Sequence, residues 1–458
     1  MNNFWDFNVW GWLNLMAVLF LSLLAANAMK KKIKWLEASL IPTSVLGGAI
    51  LLVISSVYKI FAGNMLFEEP IFGGNGYNNL EIITYHTLAL GFIASSFKTS
   101  DGKLSKKRTV EIFNTGVTTV STYLIQAIVG LGITIVASFI IKGFFQAAGV
   151  LLPFGYGQGT GQALNYGTIY ETEHGFVGGK TFGLTIAALG FLSASIGGVV
   201  HLNLLKRKRK IAGASQEGDL KSEQVQRADE IPMQGSIDKM TIQVALVMVA
   251  YMCTFLLMYF LGNLLPGMKS VIYGFNFLLG VLTGTLLKML INFLKKKGVA
   301  EKEYINDFLM TRTSNFFFDV MVVAGIAAIR LDILENYWGI ILILGMVGLF
   351  ITYFYNYYVA KTLFPEYQEE QFLMMYGMLT GTASTGIILL REIDGDFKTP
   401  AADNMVYQNF PAIVFGFPMM LLATLAPVKP VLTFIILVAF FAVMNVILFR
   451  SKIFKFKK

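Results

Sequence analysis

Apolar residues come in long blocks along this chain, and polar residues come in short clusters between them. A membrane span needs about 20 mostly apolar residues. Eleven stretches meet that pattern, at about 9–29, 40–60, 80–97, 110–140, 178–203, 241–263, 270–294, 308–329, 335–360, 405–427 and 430–450. Two more stretches, about 146–171 and 370–390, are apolar but interrupted by Gly, Ser and Thr. These two do not read as ordinary spans.

The polar clusters test this layout. "KKKIK" follows Met29, "KTSDGKLSKKR" runs over 98–108, "KRKRK" stands at 206–210 and "KKKGVAEK" at 295–302. Lys361, Arg391, Lys398 and the tail "RSKIFKFKK" belong with them. With the N-terminus outside, all of these fall on the cytoplasmic face. Of the 37 Lys and Arg residues, six fall outside: Lys59, Lys142, Lys180, Lys269, Arg330 and Lys429. This is the positive-inside asymmetry. It holds if each interrupted stretch returns to the side it started from, as a re-entrant hairpin. The first then enters from outside and the second from inside.

The polar linker 206–240 divides the pattern. Each side has five spans, with an interrupted hairpin before the fifth. The expected fold is all-α and polytopic, with two inverted repeats. The predicted parts are an N-terminal repeat over 1–205, the cytoplasmic linker, and a C-terminal repeat over 241–427. An extra helix and basic tail follow over 428–458, so the C-terminus is cytoplasmic. "ALGFIAS" (89–95) echoes "VAGIAAI" (323–329), and "GTG" (159–161) echoes "GTA" (381–383).

Composition agrees with a membrane chain. Only 14% of the 458 residues are charged, 55% are hydrophobic, and mean hydropathy is +0.62. Soluble domains carry about 25% charged residues. The net charge of +9 reflects loop lysines, so it does not argue for nucleic acid. One cysteine, Cys253, excludes an intrachain disulfide and a thiolate cluster. "LLAANAMKKK" carries Ala26 and Ala28 like a cleavage site, but its basic residues follow the apolar run instead of preceding it.

The interrupted stretches hold the candidate chemistry. The first reads "LLPFGYGQGTGQA" over 151–163. Backbone at membrane depth must be satisfied internally unless it lines protein or a water cavity. Glycines let the chain turn and leave N–H groups free, and a half-helix starting there points its positive end at an anion. Gln158, Thr160 and Gln162 add side-chain donors and acceptors. The second reads "YGMLTGTASTG" over 376–386 and offers Thr380, Thr382, Ser384 and Thr385 beside Gly381. Small residues also serve tight helix packing. A pair of such breaks in matching places instead marks a secondary transporter.

Other polar span residues carry alternatives. Asp319 in "NFFFDVMVVAG" is either an ion or proton group or a structural partner for Arg312. Gln126, Asn276, Asn315, Asn356 and Asn409 are ligand candidates or interhelical glue. Gln126 and Asn315 are the ones placed with Asp319 as ion-coupling candidates. Arg391, just past the second stretch, is a positive-inside anchor or a partner for a substrate carboxylate. "GYG" at 155–157 looks like the potassium-channel filter, but that filter needs four copies around one axis. "GFVGGKT" (175–181) and "GYGQGTG" both miss the spacing of nucleotide-binding motifs. The three histidines are scattered, and no nucleophile–base pair suggests an enzyme.

At these motifs the chain resembles the bacterial sodium/glutamate symporter family. "GYGQGTGQA" looks like that family's "GGHGTGAA", and "IPTSVLGG" (41–48) like its "IPEPVAGG". "LIQAIVGLG" (124–132) is similar to "MQNAIGIG", and "SASIGGVV" (193–200) to "GGLIGGPV". The likeness runs in the same order to about residue 427. Gly157, Gly159, Thr160 and Gly161 match the first hairpin motif. Gly381 and Thr385 match the second, which in the family reads like "GATPTA". Gln158 stands where the family often has His, Tyr156 where it has Gly, and Ser384 where it has Pro.

The resemblance implies two five-helix domains, hairpins that approach each other, a homodimer in the bacterial inner membrane, and sodium as coupling ion with no other cofactor. It implies uptake of glutamate or a related small organic anion or amino acid by elevator-like alternating access. A proton-coupled transporter of the same fold, with Asp319 as carrier, and a passive channel stand as alternatives.

Overall fold

A computed structural model describes residues 3–97, 105–209, 230, 237–298, 302–335, 337–395 and 397–453. Most of the linker 206–240, the loop 98–104 and the end of the basic tail lie outside the described residues. Among the described residues the fold is all-helical, with no β-strand. In chain order the main helices are α1 (Phe7–Lys32), α2 (Thr43–Ala62), α3 (Gly76–Ser96), α4 (Lys106–Ile140), α5 (Leu151–His174) and α6 (Gly179–Arg209). Then come α7 (Lys239–Leu264), α8 (Asn276–Lys296), α9 (Asp307–Ala327) and α10 (Trp338–Leu363). The last are α11 (Gln368–Thr380), α12 (Ala383–Arg391), α13 (Ala401–Tyr407), α14 (Asn409–Leu425) and α15 (Pro430–Leu448).

Helix starts carry the side chains that satisfy free N–H groups. Asp6 accepts from Asn8 N at 2.9 Å, Ser105 from Arg108 N at 3.3 Å, and Asp238 from Thr241 N at 3.1 Å. Lys30, Lys31 and Lys32 close α1, where the helix dipole favours cations.

Helices cover all eleven stretches read from the apolar pattern. Among the described residues, eight are long and apolar enough to cross a membrane: α1, α2, α4, α6, α7, α8, α10 and α15. The bent pair α13–α14, with 54° between its parts, makes a ninth. The expectation of eleven spans included α3 and α9, which fall below this apolar standard. Their polar side chains explain it: Asn78, Asn79, Glu81 and His86 on α3, and Asp307, Arg312, Asn315 and Asp319 on α9.

The described residues fall into two compact units. The first holds 1–81, 104–215 and 322–458, and the second holds 82–103 and 216–321. In the second unit, Leu90, Ile93, Phe97, Val247, Ala250 and Met310 form a buried core. Gly280 and Gly284 let α8 close on α3: an added side chain would meet Ile93 at 2.8 Å from the first and strike Ser96 Oγ from the second. Lys239, fully buried, pairs with Glu230 at 2.7 Å.

In the first unit, α6 is the central strut. Gly183, Gly190 and Gly197 recur every seven residues on it, which keeps them on one face of a helix. An added side chain at Gly183 would strike Ala163 O. At Gly197 it would strike the Tyr376 hydroxyl. This face therefore accepts α5 and α11 at backbone distance, and both interrupted stretches are seated on it.

Candidate functional site

Both interrupted stretches fold as hairpins. In α5 the helix breaks at Gly159, with φ 75° and ψ −169°. That conformation is essentially open to glycine alone. The two arms then run back along each other. The rings of Phe154 and Tyr166 stack at 3.9 Å, and those of Phe145 and Tyr170 approach to 5.4 Å. An unbroken helix would hold Phe154 and Tyr166 about 18 Å apart. Tyr166 and Tyr170 fasten the returning arm by donating to Met420 O at 2.9 Å and Ala423 O at 2.7 Å in α14.

The second hairpin turns between α11 and α12. Gly377 and Gly386 face each other so closely that a side chain on Gly377 would lie 2.8 Å from Gly386 Cα. Thr382 caps α12, its hydroxyl accepting from Thr385 N at 3.4 Å. Just before the hairpin, burial holds the Tyr367 phenol above its usual range. It stays neutral and accepts from Asn404 Nδ2 at 3.0 Å.

The two tips converge on α6. A side chain at Gly190 would stand 2.6 Å from Thr380 O of the second tip and 3.2 Å from Tyr156 Cα of the first hairpin. One turn on, Ser193 serves both: its hydroxyl meets Tyr156 OH at 2.9 Å, and its carbonyl accepts from Tyr376 OH at 2.8 Å. From α4, Tyr123 donates to Gly157 O at 3.0 Å. Gln126 donates to Leu379 O at 3.1 Å and to Thr352 Oγ1 at 2.8 Å. Gly325 lies against Thr160, where a side chain would clash at 2.6 Å.

The tips therefore gather most of the residues singled out in the sequence: Gly157, Gln158, Gly159, Thr160, Gly161, Gln162, Thr380, Gly381, Thr382, Ser384, Thr385 and Gln126. Two of these hold unspent polar atoms. Gln126 is fully buried and its Oε1 has no partner. Gln162 is 1% exposed and its Nε2 has none. Unsatisfied buried groups cost about 1–3 kcal/mol each, so such atoms mark places where something polar is received. The Gln126 amide is oriented by Leu379 O, which can only accept, leaving its carbonyl free.

Other expectations meet a different environment. Asn315 and Asp319 belong to the second unit, and both side chains are exposed on α9. A carboxylate in a span was expected to face the interior. Arg391 is exposed, with its guanidinium 5.3 Å from the Phe397 ring. Neighbouring Asp394 accepts from Lys398 N, Thr399 N and Thr399 Oγ1, and Glu392 approaches Lys206 at 3.9 Å. Asp396 lies outside the described residues. Asn356 acts as glue: its Oδ1 accepts from Thr122 Oγ1 of α4 at 3.4 Å, while its amide donates to Thr352 O of its own helix at 2.9 Å. Asn276 donates to Tyr85 O at 3.0 Å.

Sequence reasoning missed Tyr123, Tyr156, Gly190, Ser193, Gly325 and Tyr376. Of these, Gly190 had a readable signal in the seven-residue glycine spacing of α6. The others are ordinary span residues whose partners lie far away in sequence.

No match was found among curated proteins. The profile of the sodium/glutamate symporter family matches residues 10–368, more than three quarters of the chain, and ends where the second hairpin begins. With several apolar helices and a match of that extent, this chain belongs to the sodium/glutamate symporter family.

Proposed function

We propose that this multi-pass membrane protein carries out sodium-coupled symport of glutamate, or of a related small organic anion or amino acid, and that the paired hairpin tips are its translocation site. The observation that carries the reading is the convergence of both tips on Gly190 and Ser193 beside two buried amide groups with unspent atoms. The Gln162 amide, whose Nε2 has no partner, and the backbone at the Gly159 break suit a substrate carboxylate. The Gln126 carbonyl suits a substrate ammonium or sodium. Thr160, Thr382, Ser384 and Thr385 supply hydroxyls that serve either. Cation and anion bound together neutralise each other at low dielectric, so each raises the affinity for the other.

Transport then follows by alternating access. The unit that bears both hairpins moves the loaded site across the membrane in an elevator-like step. The protein works as a homodimer in the bacterial inner membrane, with its N-terminus outside and its C-terminus cytoplasmic. Its two halves, each with five spans and one hairpin, are related as inverted repeats.

The test is uptake of labelled glutamate into proteoliposomes, with an inward sodium gradient or with potassium in place of sodium. Saturable, sodium-dependent accumulation is expected, and Thr160→Val and Thr382→Val should each raise KM about tenfold, the worth of one hydrogen bond to a charged group. Absence of accumulation with sodium refutes the substrate assignment.

A further inference from the structure

The first unit buries a second polar cluster, away from the hairpin tips. His201 on α6 is 5% exposed. Its Nε2 lies 2.8 Å from Glu369 Oε2 on α11, and its Nδ1 lies 2.7 Å from the Tyr353 hydroxyl on α10. The ring packs 4.4 Å from that of Phe372 and 5.8 Å from that of Tyr357. Leu202, Leu205, Leu373 and Leu389 complete an apolar wall.

Both imidazole nitrogens thus face oxygen, and this fixes the chemistry. With Glu369 ionised, Nε2 holds a hydrogen and donates it to Oε2. Nδ1 then has two states. In a neutral ring it accepts from Tyr353 O–H; in an imidazolium it donates to the Tyr353 oxygen. Passing between them takes one proton from water onto Nδ1 and a rotation of the Tyr353 hydroxyl hydrogen. No heavy atom needs to move. The pair is electrically neutral with that proton and carries one negative charge without it, a difference that burial magnifies even though Glu369 Oε1 also accepts from Gln368 Nε2 at 3.4 Å.

Among the described residues, further ionisable groups stand on the elements packed against the pair. On α6 there is Lys206, on α10 Tyr357 and Lys361, and on α11 Glu370 and Tyr376. At the end of α12 stand Arg391 and Glu392. Lys206 and Glu392 approach each other at the surface, 41% and 31% exposed, where water screens them.

The cluster is the far end of the seam that holds the second hairpin. Along α11, Glu369, Phe372 and Tyr376 lie on one face, and each touches α6. Glu369 bonds His201, Phe372 packs on its ring, and Tyr376 donates to Ser193 O in the space left by Gly197. Ser193 in turn touches Tyr156 of the first hairpin.

We infer that His201 and Glu369 form a proton-binding site whose occupancy sets how firmly the second hairpin is held to α6, so that protons act on transport as well as the coupling ion. The site is separate from Asp319 and does not depend on the identity of the cargo.

The chain has three histidines, which makes the test direct. Histidine-labelled protein in lipid nanodiscs is titrated by NMR from about pH 5 to about pH 8, the range in which imidazole changes charge. His201→Gln assigns the resonance. Should that variant fail to fold, His86→Gln and His174→Gln assign it by elimination. The His201 ring signal is expected to respond to pH in this range, and Glu369→Gln is expected to alter that response. A His201 that keeps one state throughout, or that titrates indifferently to Glu369→Gln, overturns the proposal.

Sodium-driven glutamate uptake, at equal pH on both sides, gives the functional arm. The wild-type KM should change about fivefold or more across the range, and His201→Gln and Glu369→Gln should flatten the profile. A pH profile that both variants leave intact also overturns it. Absence of uptake at every pH counts against the glutamate reading alone, because the titration needs no substrate.

Discussion

Gly190→Ala tests the convergence of the hairpins with one methyl group. The added Cβ would lie 2.6 Å from Thr380 O, 3.1 Å from Tyr156 Cδ2 and 3.2 Å from Tyr156 Cα. Carbon and carbonyl oxygen approach to about 3.3 Å at closest. The second tip must therefore retreat by about 0.7 Å, while Tyr156 blocks compensation on the other side. Tyr156 cannot easily give way, because its hydroxyl is held by Ser193 Oγ and by Gly345 O. Overpacking of this kind costs about 1–3 kcal/mol of stability, which leaves a folded protein with a lowered melting temperature.

The loss in function should be of similar size in free energy, and it reads out as a large change in KM. A tip displaced by that distance breaks about one hydrogen bond to a charged group, worth about 1.5–3 kcal/mol, or roughly ten- to hundredfold in KM. The assay is KM for glutamate and for sodium in proteoliposomes, with thermal unfolding measured on the same preparation. Gly339→Ala is the control. It lies in the first turn of α10, nothing stands within 4 Å of its added Cβ, and it should leave KM alone. A Gly190→Ala protein with the wild-type KM and melting temperature would show that the tips do not meet on α6, and the proposed site would fall with them.

Gln126→Leu removes both donations and should lower stability by about 1–3 kcal/mol, because Leu379 O is left buried without its donor; thermal unfolding reads this, and an unchanged melting temperature refutes the role. Glu81→Gln should destabilise by a similar amount, about 1–3 kcal/mol. Its carboxylate takes Lys180 Nζ at 2.7 Å and Arg330 Nη2 at 3.1 Å, and a neutral amide would leave both cations short of charge. Asp319→Asn should keep sodium dependence of uptake intact, since the hairpin site does not call on that carboxylate; a switch to proton-driven uptake, or loss of coupling, would return Asp319 to the centre of the mechanism.

The hairpins were legible because backbone chemistry restricts them. Gly159 must be glycine at φ 75°, and a cluster of glycines inside an apolar run has few other uses. What packs against the hairpins was not legible. The seven-residue spacing of Gly183, Gly190 and Gly197 announces a close neighbour, yet nothing local says that Thr380, 190 residues beyond Gly190, supplies it. The same holds for His201. Read alone it is one of three scattered histidines, and its carboxylate partner lies 168 positions away. Asp319 stands among apolar neighbours in "NFFFDVMVVAG", yet α9 carries Arg312, Asn315 and Asp319 as exposed side chains.

The two hairpins are also fastened by different chemistry, and this has a consequence for control. The first is held by neutral phenol-to-carbonyl bonds, from Tyr123, Tyr166 and Tyr170. Phenols keep their hydrogen across the physiological range, so these bonds do not respond to pH. The second is held by Tyr376 and by the ionisable pair His201 and Glu369. Protonation of the His201–Glu369 pair therefore reaches the paired tips through the second hairpin. That hairpin also lies beyond the residues matched to the family, which end at 368. Ser384 stands in it where the family pattern reads Pro, and a proline would lock φ at that point in the first turn of α12. A Ser384→Pro substitution should then stiffen the tip and blunt the pH dependence of uptake; a steeper dependence would mean that the pair acts on the site by some route other than the hairpin.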